Sequence, residues 1–149
     1  MRAVVQRTGS ARVEVDNRIV GEIGKGLLVY LGIGNEDTEK DLLYLVEKLV
    51  NLRIFPDEGG KMNRSVLDIK GGILVVSQFT LYADARKGRR PSYNQAAEPG
   101  KAEKLYKKFL DSLGERNIRV SAGIFQAEMN VVSQNEGPVT ILLDSQKTF

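Results

Sequence analysis

Two mainly apolar runs limit the folds open to this chain more than any other feature. They are LLVYLGI at residues 27–33 and ILVVSQF at residues 73–79. A strand covered on both faces carries such a continuous run, whereas a strand with one wet face alternates. Both runs therefore predict central strands of a sheet. The residues between them follow helical spacing and predict one covering helix through Leu42, Leu45, Val46, Leu49 and Val50.

Shorter strand patterns lie at both ends of the chain. Residues 3–6 are an apolar start, and residues 11–15 alternate apolar and polar side chains. Asp16-Asn17 is a natural pair for a hairpin turn. Further on, residues 118–133 predict short strands, and residues 138–143 predict a final strand entered through a Gly-Pro turn.

Both predicted helices carry terminal signals. Thr38 and Asp41 resemble a capping box at the start of the first helix, and the loop predicted at residues 56–63 follows that helix. Pro99 suits the first turn of the second helix, and Gly114 is predicted to stop it. The apolar stripe of this second helix is Ala102, Leu105, Tyr106, Phe109, Leu110 and Leu113.

Together these elements predict one α/β domain over residues 1–149. The length of 149 residues falls within the range of about 100–200 that one domain occupies. We expect layered sheets of six to eight strands, mixed or largely antiparallel, with two main helices. The apolar segments are also too short for a signal peptide or a spanning helix, so we expect a cytoplasmic protein without a membrane partner.

The chain contains neither cysteine nor histidine. This excludes thiol nucleophiles, disulfides, the Ser-His-Asp triad and the commonest metal ligands. No acidic cluster suggests a magnesium site, so we expect no metal. Gly32 and Gly34 lack the third glycine of a dinucleotide loop, so we expect no nucleotide cofactor. An enzyme with this sequence must work without the usual proton shuttle.

The end of the second apolar run is a candidate site. Side chains and N–H groups that leave a buried strand are well placed for one. Two hydroxyls invite a nucleophile, but a hydroxyl needs an adjacent base and no histidine is available. The backbone N–H groups can instead stabilise an oxyanion, and a purely structural strand end is a third interpretation. The candidate residues are Ser77, Gln78, Phe79 and Thr80.

A basic cluster follows this candidate site. Gly88 interrupts the cluster and Pro91 closes it. Such a segment can follow a phosphate chain, or it can be a solvated charged surface. The net charge of +3 does not decide between the two. The cluster consists of Arg86, Lys87, Arg89 and Arg90.

Three motifs stand in a recognisable order along the chain. They are SQFTLYAD at residues 77–84, GRRPSY at 88–93 and NEGPVT at 135–140. With them occur the opening MRAVVQR, RIFPDEGGKMN at 53–63 and FQAEMNV at 125–131. In this order and spacing the motifs resemble those of D-aminoacyl-tRNA deacylases. The resemblance covers essentially the whole chain, and the combination of SQFT with GPVT is specific.

The resemblance implies a homodimer that hydrolyses the ester between a D-amino acid and the terminal ribose of tRNA, without a cofactor. It also implies removal of glycine from wrongly charged alanine tRNA. The segment from Ser77 to Thr80 would line the site, and Phe125 and Met129 would border it. Gly137-Pro138 would be a cis pair that enters the partner chain's pocket, held in place by Arg7.

The implied selection is by handedness. A cis Gly-Pro pair turns neighbouring carbonyls the same way and offers two fixed acceptors to a substrate ammonium. When the ammonium and the ester are both held, a D side chain points into open space, whereas an L side chain collides with backbone. Glycine has no side chain and passes. The specificity then comes from the exclusion of L-amino acids.

The chemistry has two open alternatives. In the first, the 2′-OH of the substrate positions or activates water, while N–H groups around Phe79 and Thr80 stabilise the oxyanion. In the second, Thr80 is a covalent nucleophile. Two other functions also stay open: a non-catalytic RNA-binding module, motivated by the basic cluster, and a general esterase, motivated by the hydroxyls of Ser77 and Thr80.

Overall fold

The computed structural model describes all 149 residues and confirms the predicted α/β class. A six-stranded sheet with parallel and antiparallel pairs carries two main helices, and a separate two-stranded ribbon completes the fold. No helix has the length and apolar character needed to cross a membrane. In chain order the elements are β1 (Arg2–Val15), β2 (Arg18–Ile23), β3 (Gly26–Gly32), α1 (Glu39–Asn51), β4 (Phe55–Pro56), β5 (Met62–Arg64), β6 (Gly72–Ser77), a 3₁₀-helix (Phe79–Tyr82), α2 (Pro99–Gly114), β7 (Arg119–Ala122) and β8 (Asn130–Asp144).

The long strand β1 organises the sheet. It pairs antiparallel with β2, β3 and β8, whereas β3, β6 and β7 run parallel to one another. The sheet nearly closes on itself, because the N–H of Glu22 in β2 donates to Ser121 Oγ in β7 at 3.1 Å. A Cβ atom on Gly21 would lie 2.4 Å from the Ala122 carbonyl oxygen. Only glycine therefore permits this close approach of the two strands.

The core forms between the sheet and the two helices, as the apolar patterns predict. In the two runs, Leu27, Val29, Ile73 and Val75 have no exposed surface. The five stripe residues of α1 are at most 1% exposed. From α2, the stripe buries Tyr106, Phe109 and Leu113. Because fully burying such a side chain contributes about 1.5–3 kcal/mol, the sheet-facing stripes hold the helices in place.

The turn and cap predictions are confirmed, with one exception. Asp16 and Asn17 have φ values of 49° and 59°, which a tight hairpin turn between twisted strands requires. The Thr38 N–H donates to the Asp41 carboxylate at 2.9 Å, as in a capping box. Helix α2 does end at Gly114, but Gly114 is its last helical residue and does not lie beyond the cap, because Glu115 is the C-cap.

Three strand predictions also need correction. Residues 3–6 and 11–15 belong to one continuous strand, β1, whose register with β8 shifts around Thr8 and interrupts the alternation of burial. The predicted final strand at residues 138–143 is part of β8, which runs through the Gly-Pro pair. The predicted loop at residues 56–63 overlaps both strands of the ribbon, since β4 includes Pro56 and β5 begins at Met62.

A buried carboxylate joins the end of β3 to the 3₁₀-helix. Asp37 is 3% exposed and pairs with the Met1 ammonium. Its second oxygen accepts hydrogen bonds from the Gly34 N–H at 2.6 Å and the Tyr82 hydroxyl at 3.1 Å. Burial and the nearby Asp37 charge raise the pKa of Tyr82, so this tyrosine stays a neutral donor. The segment that follows β6 is thereby fixed against β3.

Candidate active site

A cavity of about 660 Å³ opens at the carboxyl ends of β3 and β6. Because these strands are parallel, their carboxyl ends meet at one edge of the sheet, where sites in such sheets form. Twelve of the sixteen lining residues are hydrophobic, and none carries a formal charge. The volume suits a small-molecule group, for which sites of about 300–1,000 Å³ are usual.

The segment from Ser77 to Thr80 leaves β6 at this cavity, and Ser77, Gln78 and Phe79 line the cavity whereas Thr80 does not. The Gln78 N–H donates to the Leu31 carbonyl at 2.8 Å and fixes the exit from the strand. Because a helix begins at Phe79, the N–H groups of Phe79 and Thr80 have no helical carbonyl before them, and the Gln78 side chain does not cap them. Two such donors at a rigid strand end can stabilise a negatively charged oxygen.

The hydroxyls of this segment have no strong base beside them. Thr80 Oγ1 accepts a hydrogen bond from Gln78 Nε2. Ser77 lines the cavity, but the only ionisable side chain in the lining is that of Tyr93. A serine or threonine hydroxyl is a weak nucleophile unless an adjacent base removes its proton. The geometry therefore favours chemistry by backbone donors over chemistry by an activated hydroxyl.

The other two pocket residues expected from the sequence also line the cavity. Phe125 and Met129 line it, and the ring of Phe125 lies 5.7 Å from that of the buried Tyr106. Sequence reasoning did not mark several lining residues between the basic cluster and the first residue of α2 as part of a site. They are Tyr93, Ala96, Ala97 and Pro99, and the alanines carried no chemical signal that could have marked them.

Gly137 and Pro138 lie on a bulge of β8, apart from the cavity of their own chain. Gln6 pairs with Thr140 and Thr8 pairs with Asn135, so residues 136–139 bulge opposite Arg7. The Gly137-Pro138 peptide is cis, and both residues are exposed. Asn135 closes the bulge, because its Oδ1 accepts the Val139 N–H at 3.1 Å.

Arg7 holds the bulge from the side of β1. Its Nε donates to the Glu136 carbonyl at 3.2 Å, and its Nη1 donates to the Ile54 carbonyl at 2.7 Å. A Cβ atom on Gly137 would lie 2.9 Å from Arg7 Nη2. The guanidinium is therefore in contact with Gly137, which leaves no room for a side chain there.

The basic cluster forms an exposed loop whose ends are tied together. Backbone hydrogen bonds of 2.8 and 2.9 Å join Asp84 and Ser92. Arg86 donates to the Asp84 carboxylate, and these hydrogen bonds hold the pKa of Asp84 well below its usual range. The other three cations are exposed and form no ion pair: Lys87, Arg89 and Arg90.

Comparison with known proteins gives consistent results. A family model described as D-Tyr-tRNA(Tyr) deacylase matches residues 4–144. Proteins named D-aminoacyl-tRNA deacylase are 61% identical in Thermosipho melanesiensis, over 150 residues, and 59% identical in Clostridium botulinum, over 149 residues. Both alignments cover 100% of this chain and 100% of the relative.

Solved structures superpose closely as well. A protein named c-Myc DNA Unwinding Element Binding Protein has a TM-score of 0.92 at 45% identity, and the match covers 97% of this chain and 98% of that one. A probable eukaryotic D-amino acid tRNA deacylase has a TM-score of 0.83 at 21% identity, covering 96% and 98% of the two chains. At the second, lower identity the likeness shows the fold alone.

Proposed function

The chain belongs to the D-Tyr-tRNA(Tyr) deacylase family and is a hydrolase of D-aminoacyl-tRNA, and from this premise we propose that its cavity binds the aminoacylated 3′ end of the tRNA. The products are the free D-amino acid and tRNA. One observation carries the assignment of the site: the uncharged cavity is lined by Ser77, Gln78 and Phe79, where a 3₁₀-helix begins whose first N–H groups have no helical carbonyl before them. An ester bound there would face two oxyanion donors.

The selection for handedness is assigned to Gly137-Pro138 of a partner subunit in a homodimer. The pair is exposed and absent from the lining of its own cavity, which suits insertion into the cavity of a second copy. The outer edge of β8 pairs with no strand in the chain, and long open edges of this kind are usually covered by another element. A second copy would supply both the cover and the missing half of the site.

Main-chain atoms suit the rejection of L-amino acids. A side chain can rotate away from a clash, whereas the bulge is held by Arg7 and Asn135 on either side. With the ammonium and ester of the substrate fixed, an L side chain meets this backbone and a D side chain does not. Glycine presents no side chain, so the same site would also remove glycine from alanine tRNA.

In the proposed mechanism, a group of the substrate itself takes part in the hydrolysis. No charged side chain lines the cavity, so the adjacent 2′-OH of the terminal ribose is the group nearest to the ester that can position or activate water. The N–H groups of Phe79 and Thr80 would stabilise the oxyanion, with Ser77 and Gln78 shaping the site. The competing route makes Thr80 a covalent nucleophile.

Thr80→Ala separates the two routes. We expect turnover of D-Tyr-tRNA within about threefold of the wild-type rate, because the hydroxyl lacks a base and the N–H donors remain. The measurement is single-turnover deacylation, with affinity for uncharged tRNA as the control for binding. A loss of about 10³-fold or more with binding intact, as removal of a nucleophile causes, would establish the covalent route instead.

The basic loop is proposed to contact the tRNA backbone near the acceptor end. Lys87, Arg89 and Arg90 are exposed and free of ion pairs, and the loop ends directly before Tyr93 at the cavity. Arg86 contributes less, because Asp84 already neutralises it. Contacts of this kind position the RNA without reading its sequence, and they take place in the cytoplasm, where the tRNA is used.

The assay that tests the function compares D-Tyr-tRNA with L-Tyr-tRNA, incubated separately with purified protein. We expect deacylation of the D substrate to exceed that of the L substrate by at least about 100-fold, since a clash of a few kcal/mol has that effect. Binding of tRNA without ester turnover would favour the RNA-binding module. Turnover of free amino-acid esters without help from tRNA would favour the general esterase.

A further inference from the structure

The ribbon of β4 and β5 is closed by a side-chain network around one carboxylate. Asp57 Oδ1 accepts the N–H groups of Gly59 and Lys61, each at 2.9 Å. Its Oδ2 accepts Asn63 Nδ2 at 2.7 Å. The hydrogen bond from Asn63 and those from the backbone lower the pKa of Asp57, so the carboxylate stays charged. The ribbon is therefore held by three bonds to one side chain.

Asn63 also bonds to Arg53, which precedes the ribbon in the chain. The Arg53 guanidinium donates to the Asn63 carbonyl at 2.8 Å and to Asn63 Oδ1 at 2.7 Å. The Asn63 side chain thus stands between Asp57 and Arg53 and bonds to both. Arg53 directly precedes Ile54, and the next residue, Phe55, is fully buried. The Ile54–Phe55 peptide is fixed on both sides.

The carbonyl of Ile54 is the closer of the two hydrogen-bond partners of Arg7. It accepts Arg7 Nη1 at 2.7 Å, whereas the Glu136 carbonyl accepts Nε at 3.2 Å. The guanidinium is planar and rigid, so fixing one of its edges also orients the other edge. Through that second edge Arg7 contacts the bulge at Gly137. A continuous chain of bonds leads from Asp57 to the Gly-Pro pair.

We propose that Asp57 and Asn63 are positioning residues for the handedness check, acting through Arg53, the Ile54 carbonyl and Arg7 on Gly137-Pro138. The inference rests on the proposed role of the Gly-Pro pair. The ribbon then serves as a brace, although none of its residues lines the cavity. Loosening the brace leaves the cavity intact and lets the backbone that excludes an L side chain move.

Swapping the carboxylate and the amide between positions 57 and 63 tests this brace. Asn63→Asp sets two carboxylates side by side and breaks the pair. Combining Asp57→Asn with Asn63→Asp restores the bond between the two side chains with donor and acceptor exchanged, and leaves the direction of the other bonds unchanged. The amide at position 57 can then donate to the carboxylate at position 63, which still accepts from Arg53. Lys61→Ala is the matched control, since the Lys61 side chain makes no hydrogen bond or ion pair, whereas its N–H, which the variant keeps, bonds to Asp57.

The readout is the ratio of kcat/KM for D-Tyr-tRNA to that for L-Tyr-tRNA. Since a displacement of 1 Å can change a rate about 10²-fold, we expect Asn63→Asp to lower this ratio about tenfold through a smaller shift. The exchanged pair should restore the ratio to within twofold of wild type, and Lys61→Ala should leave it there. An unchanged ratio in folded Asn63→Asp, or no recovery in the exchanged pair, would overturn the inference.

A second measurement does not depend on activity. Exchange of the Arg7 Nε–H with solvent, followed by NMR, should be faster in Asn63→Asp than in wild type and should recover in the exchanged pair. Unchanged exchange would overturn the brace even where the deacylase assay behaves as proposed. A wild-type enzyme that treats the D and L substrates alike would instead overturn the proposed function, while accelerated exchange would still support the mechanical link.

Discussion

Gly137→Ala is expected to lower the deacylation of D-Tyr-tRNA by about 100-fold, the effect of misplacing a catalytic group by about 1 Å. Gly137 has a φ of +121°, a conformation that L side chains rarely adopt. An added Cβ would lie 2.8 Å from Val139 Cγ2 and 2.9 Å from Arg7 Nη2. Because of the positive φ and the two close contacts, we expect the added Cβ to displace the bulge or the Val139 and Arg7 side chains that hold it.

The protein should remain folded, because backbone strain of this kind costs about 1–3 kcal/mol and the bulge is exposed. The measurement is single-turnover deacylation with enzyme in excess, together with the melting temperature. Gly24→Ala is the control: Gly24 is also exposed, lies in the turn between β2 and β3, and an added Cβ there meets nothing within 4 Å. Equal rates in the two variants would mean that Gly137 has no part in the reaction.

A tRNA that ends in 2′-deoxyadenosine and carries D-Tyr on its 3′ oxygen is expected to react about 10²- to 10³-fold more slowly, the range lost with a general base. No charged side chain lines the cavity, so no carboxylate, lysine or arginine there can take over the role of the missing hydroxyl. The N–H donors of Phe79 and Thr80 would still act, and they account for the residual rate.

Spontaneous hydrolysis of the deoxy ester is slower as well, so each enzymatic rate is divided by the uncatalysed rate of the same substrate. Inhibition of the normal reaction by the deoxy substrate shows that it still binds. An undiminished rate enhancement on the deoxy substrate would mean that a protein group, and not the 2′-OH, activates the water or attacks the ester. Thr80 would then be the first residue to re-examine, through the Thr80→Ala variant described above.

The layout of the strands and helices followed from local patterns. The two apolar runs became β3 and β6, and the stripe from Leu42 to Val50 became the buried face of α1. These patterns are informative because burial repeats with the period of the element itself. They failed where a strand changes register, as in β1 near Thr8 and in β8 at its bulge, because the repeat is broken there.

The amino-acid sequence by itself determined the α/β class and the absence of a thiol or imidazole, because both follow from residue types and their spacing. It also marked Ser77 to Thr80 as a strand end suited to a site. Only the tertiary structure showed that Ala96, Ala97 and Tyr93 complete the cavity, and that Arg7 joins Ile54 to Glu136. Those contacts join residues 47 and 129 positions apart, and their geometry comes from sheet pairing and packing, which no local pattern records.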